Sequence, residues 1–147
     1  MSAQPAPALT AHQKRLIRQS FESIQGYSDS VVLLFYGRLF ELEPATRSLF
    51  KISIREQARK LMDTLSTVVD ALDRFEKLLP YLTELGQRHL GYGVQPQHYE
   101  ILRSALLWAM GQALGVEFDR DTRAAWENLL TTISAVMLEA AAQKAEP

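Results

Sequence analysis

Apolar residues between Thr10 and Ala140 recur at three- and four-residue spacing in every segment, and nowhere do they alternate at period two over a strand's length. A chain patterned in this way buries its stripes by packing helix on helix. The predicted fold class is therefore all-α, with about seven to eight helices joined by short connections. Thr10 and Gln13 have the form of a capping box and open a first helix over about Ala11–Gln25, with Leu16, Ile17, Ser20 and Ile24 inward and Gly26 as its stop. A second helix, about Ser28–Glu41, turns Val32, Phe35, Tyr36, Leu39 and Phe40 inward. Pro44 suits the first turn of a short helix in LEPATRSLF, and Lys51–Ile54 reads as a connection. From Arg55 to about Asp73, one face carries Gln57, Leu61, Thr64, Leu65, Val68 and Leu72, while Glu56, Arg59, Lys60 and Asp63 form a solvated face. Phe75–Leu79 lead to Pro80 and a helix whose stripe is Leu78, Leu82, Leu85 and His89, ended by Gly91, Gly93 and Pro96. Two more helices follow. One spans about Gln97–Leu114, with Tyr99, Leu102, Leu106, Ala109 and Ala113 on its face. The other starts near Asp119–Thr122 and presents Trp126, Leu129, Leu130, Ile133, Val136, Met137 and Ala140. One domain is expected over residues 10–141, with a disordered lead at 1–9 and a frayed tail at 142–147.

Composition removes several functions. A net charge of -1 and a sequence pI near 6.3 give no basic footprint for a nucleic acid backbone. With no cysteine, disulfides, thiolate metal sites, iron–sulfur clusters and cysteine nucleophiles are excluded. The N-terminus lacks the charge and apolar run of a signal peptide, and no later stretch reaches the length of a membrane span, so a cytoplasmic protein with no membrane association is expected. There is no GxGxxG and no GxxxxGK[ST] to cradle a phosphate. The histidines are His12, His89 and His98, and no serine stands in an evident catalytic arrangement with any of them. His12 falls in the first turn of the first helix, and His98, beside Tyr99, reads as a surface residue.

Three polar side chains interrupt the apolar stripes of three different helices: Tyr36, Gln57 and His89. Each alone reads as a core polar group with a satisfied hydrogen bond. Together they suggest one apolar cavity carrying a few placed polar atoms. A lone imidazole in a cysteine-free apolar pocket suits a porphyrin iron better than a bare metal, which wants three or four protein ligands.

Several blocks, in this order and spacing, resemble the globin family: LFYGRLFELEP (Leu34–Pro44), SLF ending in Phe50, EQARKLM (Glu56–Met62), LGQRHLGYGV (Leu85–Val94), QHY (Gln97–Tyr99) and RAAW (Arg123–Trp126). The resemblance runs from about Leu9 to Ala141. It is strongest to bacterial single-domain globins and to the globin half of flavohaemoglobins, with similarity also to neuroglobin. It implies haem b as cofactor, His89 as proximal iron ligand and Phe50 packed on the haem face. Tyr36 and Gln57 fall at the distal positions, with Leu61 one turn beyond Gln57. Leu85, Val94, Tyr99 and Leu102 are implied to border the cofactor, and Lys60 and Arg88 to meet its propionates.

The same resemblance implies O2, NO and similar small molecules as ligands. A Tyr36/Gln57 donor pair predicts tight oxygen binding with slow release, since a charge-assisted hydrogen bond is worth about 1.5–3 kcal/mol. No histidine stands at the distal helix position, so coordination by two histidines, as in neuroglobin, is not expected. His89 should donate its other ring proton to the carbonyl of Leu85 by i−4 spacing. Tyr99 matches the tyrosine of the flavohaemoglobin tyrosine–glutamate pair, but Ala141 stands where the glutamate belongs, and Glu139 is about 200° away around a helix. The expected function is nitric oxide dioxygenation with electrons from an external reductase, because no flavin or nicotinamide domain follows in the chain. The alternatives are an oxygen carrier, store or gas sensor, and a haem-free globin-fold interaction domain.

Overall fold

The computed structural model describes residues 9–49 and 53–145. Among them are six α-helices and three short 3-10 helices, with no strand. The α-helices are α1 (Ala11–Gly26), α2 (Ser28–Leu42), α3 (Ile54–Asp70), α4 (Leu79–Gly91), α5 (Pro96–Leu114) and α6 (Arg120–Ala145). The 3-10 turns occupy Pro44–Leu49, Leu72–Leu78 and Gly115–Glu117. No helix among the described residues is long and apolar enough to cross a membrane.

Local chemistry sets the helix starts. The Thr10 hydroxyl accepts from the Gln13 N–H at 3.0 Å, and the Gln13 side chain accepts from the Thr10 N–H at 3.1 Å, forming the expected reciprocal box. Ser53 opens α3 by accepting from the Glu56 N–H at 3.2 Å. Pro80 and Pro96 lie in the first turns of α4 and α5, where a missing N–H leaves no bond unmade.

Three boundaries differ from the sequence-based expectation. The third helix stops at Asp70, short of Asp73, and the chain passes at Ala71 into a 3-10 turn. Leu72, Phe75 and Leu78 are all buried there, and their three-residue spacing is the period at which a 3-10 helix eclipses its side chains. Asp73 is drawn outward to α1, 3.1 Å from Lys14 Nζ and 2.8 Å from Arg18 Nη2. At the end of α4, Gly91 is still helical, and it is Gly93 that takes the positive φ of 91°. Residues 142–145, expected to fray, continue α6, in keeping with the high helix propensity of an alanine-rich run.

The core gathers around Trp126, fully buried on α6 with Leu129, and meets Ile17 and Ile24 of α1, Leu39 of α2 and Leu82 of α4. Burying each such aliphatic side chain contributes roughly 1.5–3 kcal/mol. The Trp126 indole N–H donates to Ser20 Oγ at 2.8 Å, and the Ser20 hydroxyl donates to the Leu16 carbonyl at 2.6 Å, so this buried polar group is satisfied. Helix α4 packs most extensively on α6, and α2 on α5. Those two pairings fix the helices that carry His89 and Tyr36.

Candidate functional site

His89 lies in the last turn of α4 and is half-buried. Its Nδ1 is 2.8 Å from the Leu85 carbonyl oxygen, the partner that i−4 spacing predicts. A carbonyl only accepts, so Nδ1 carries the proton and the neutral ring leaves a bare lone pair on Nε2. Burial lowers the imidazole pKa from its ordinary 6.5; the Leu85 bond opposes this and the Arg88 charge adds to it. The ring is thus held neutral, in one tautomer and one orientation.

Tyr36 sits on α2 at 4% exposure, its ring 4.9 Å from Phe35 edge-on and 6.0 Å from Phe40 between centroids. Burial raises its hydroxyl pKa well above the usual phenol value, so the proton stays on oxygen. Gln57 is half-buried in the second turn of α3. Below it, Leu65 and Val68 are buried, so the stripe deepens along the helix. Leu61, Leu85, Val94 and Leu102 are partly buried and pack against the same core that contains Tyr36 and Tyr99.

Tyr99 supplies an irregularity. Its side chain is 5% exposed, and its hydroxyl has no hydrogen-bond partner among the described residues. An unmet buried hydroxyl costs about 1–3 kcal/mol, so its presence needs a reason. Ala141 carries no side-chain acceptor. Burial also raises the Tyr99 pKa.

Lys60 and Arg88 are both exposed, and Arg88 Nε stands 3.9 Å from Glu84 of the same helix. Phe50 lies outside the described residues. His98, read from sequence as a surface residue, is half-buried, and its Nδ1 accepts from the Gln95 N–H at 2.9 Å, tying the α4–α5 corner. A cleft of about 730 Å³ between α1, α2 and α3, lined among others by Val32, Ala58 and Met62, includes none of the expected site residues. Among the described residues no group of three or more His, Asp or Glu side chains could hold a metal ion.

One contact was not foreseen from sequence. Gly86 is buried where α4 crosses α6, and a Cβ added to it would collide with the Met137 carbonyl oxygen and lie 2.7 Å from the Met137 Cα. The available signal was a glycine inside a helix, one turn before the histidine; its partner on α6 had no signature of its own.

A sequence model described as Globin matches residues 33–137. Neuroglobin-1 of Oncorhynchus mykiss is 30% identical, over 94% of this chain and 96% of its own. The chain belongs to the globin family. A flavohemoprotein of Halalkalibacterium halodurans is 22% identical over 89% of this chain, a match spanning 33% of that larger protein. Among solved structures, an engineered carbene transferase from Rhodothermus marinus, named as a candidate nitric oxide dioxygenase, superposes with a TM-score of 0.83 at 26% identity, covering 93% of this chain and 96% of that one. A bacterial globin from Campylobacter jejuni shares the fold, with a TM-score of 0.80 at 20% identity over 92% of this chain and 98% of its own.

Globins bind haem and small gaseous ligands, and the residues present fit that group. A neutral imidazole with a bare Nε2, and no cluster of three or more His, Asp or Glu among the described residues, suits an iron already held by four porphyrin nitrogens. Leu61, Leu85, Val94 and Leu102 are apolar and partly buried, and the Tyr99 hydroxyl has no hydrogen-bond partner among the described residues.

Proposed function

We propose that this globin binds haem b through His89, holds dioxygen tightly, and converts nitric oxide to nitrate with electrons from a separate reductase. The observation that carries the reading is the 2.8 Å bond between His89 Nδ1 and the Leu85 carbonyl, which leaves Nε2 as the ring's only free donor atom. Haem, when bound, would supply the iron that holds dioxygen, the oxidant for nitric oxide, and that takes one electron per turnover from the reductase.

The chain's own residues do the rest. The Leu85 carbonyl polarises the His89 N–H, making the imidazole a better electron donor and fixing its plane. Leu61, Val94 and Leu102 are assigned to exclude water from the pocket and lower its dielectric, which strengthens every polar contact inside. Tyr36 is assigned as the principal donor to a partly negative ligand, since burial keeps its proton in place. Gln57 is the second donor or the group that orients the phenol. Lys60 and Arg88 are assigned to the haem carboxylates, and Tyr99 to the proximal side.

Nitric oxide dioxygenation is favoured over peroxidase chemistry for a specific reason. A peroxidase gains from a negative charge that pushes electrons through the imidazole, and here the Tyr99 hydroxyl has no acidic partner among the described residues. The similarity to the R. marinus protein and to a flavohemoprotein supports the same choice.

The test is steady-state nitric oxide consumption in air with haem-loaded protein, nicotinamide cofactor and a flavin reductase. Nitrate accumulating over many turnovers per haem is expected. Arrest near one nitrate per haem would instead support oxygen carriage, storage or sensing.

A further inference from the structure

The Leu85–Gly86 peptide occupies an unusual double position. Its carbonyl oxygen holds His89 Nδ1 at 2.8 Å, and the next α-carbon is seated directly on the backbone of Met137 in α6. A glycine inside a helix costs about 1 kcal/mol relative to alanine. Here that cost accompanies a crossing so close that a Cβ would stand 2.7 Å from the Met137 Cα and 2.9 Å from its carbonyl carbon. We infer that Gly86 is a positioning residue: its contact with the Met137 backbone sets the depth and tilt at which α4 presents the His89 imidazole to the pocket.

Three observations converge on this. The α4–α6 pair is the most extensive helix contact among the described residues, so α6 is the reference against which α4 is placed. Gly86 is buried, whereas Gly26, Gly37 and Gly91 would meet nothing within 4 Å of an added Cβ. His89 lies three residues beyond Gly86 on the same helix, and its imidazole is hydrogen-bonded to the peptide that Gly86 completes, so ring and crossing move together. A methyl group at residue 86 must retreat by roughly 1 Å to reach ordinary van der Waals separation, and backbone cannot rotate out of its way as a side chain could. The helix, with its imidazole, has to shift instead.

This inference rests on the assignment of His89 as iron ligand, and its test separates the two. Four haem-loaded proteins are compared: the parent, Gly86→Ala, His89→Gly supplied with free imidazole, and His89→Gly/Gly86→Ala with free imidazole. The readouts are the iron–imidazole stretching vibration by resonance Raman and the carbon monoxide association rate. In the tethered background, Gly86→Ala should shift the vibration and change the association rate by about tenfold, equivalent to about 1.4 kcal/mol. In the untethered background both readouts should stay unchanged, because the imidazole no longer travels with α4. A Gly86→Ala protein that fails to take up haem, while the imidazole-supplied double variant succeeds, is the same coupling in stronger form. Equal effects in both backgrounds, no effect in the tethered one, or loss of helical circular dichroism in both Gly86→Ala proteins would reduce Gly86 to a packing residue and overturn the inference. A parent without a Soret band would instead remove the assignment of His89 on which it stands.

Discussion

Replacing Tyr36 with phenylalanine isolates a single atom. The ring is 4% exposed and held between Phe35 at 4.9 Å and Phe40 at 6.0 Å, contacts that phenylalanine keeps. Losing the hydroxyl therefore changes hydrogen bonding with little change in packing. A charge-assisted bond to a partly negative ligand is worth about 1.5–3 kcal/mol, and at 1.4 kcal/mol per decade its loss accelerates oxygen release by about 10- to 100-fold. Stopped-flow displacement of oxygen by carbon monoxide measures this directly. The association rate of carbon monoxide, a ligand with little negative charge, should change far less. An oxygen off-rate within about twofold of the parent would refute Tyr36 as principal donor, and a full effect from Gln57→Leu alone would transfer the role to Gln57.

Two further outcomes follow from buried groups elsewhere. Ser20→Ala removes the oxygen that accepts the Trp126 indole N–H at 2.8 Å, leaving a buried donor unmet; a loss of about 1–3 kcal/mol is expected in urea unfolding, and no loss would mean the α1–α6 contact does not depend on this bond. The lowered His89 pKa makes a pH prediction for the haem-free protein. Between its folded value and the ordinary 6.5 the unfolded chain binds the proton and the folded chain does not, so stability falls as pH drops through that window and levels off below it. His89→Gln should flatten this part of the urea-midpoint profile below pH 6.5, and a profile parallel to the parent's would contradict the assignment of the shift to His89.

What was legible in the sequence was mostly local. The Thr10–Gln13 box and the His89–Leu85 bond each span one helical turn, so spacing alone anticipates the partner. The break at Ala71 was hidden because Val68 and Leu72 continue an α-helical spacing while Leu72, Phe75 and Leu78 equally satisfy a period of three. The capping role of His98 had no sequence signal, because its ring accepts from the Gln95 N–H at the N3 position where a capping box ordinarily carries Glu or Gln. Gly86 and Met137 are far apart in sequence, and nothing in either local pattern says that their backbones meet. The unmet Tyr99 hydroxyl lies between these cases: the alanine at 141 was visible, but burial without a partner among the described residues needed the packed chain.

The central claim is that His89 binds haem iron through Nε2. An absorption spectrum of the purified protein after haem loading, for the parent and for His89→Gly with and without free imidazole, tests it most directly. A Soret band at one haem per chain is expected in the parent, lost or shifted in the variant and restored by imidazole. A parent with no Soret band when haem is abundant, or a variant spectrum identical to the parent's without imidazole, would contradict it.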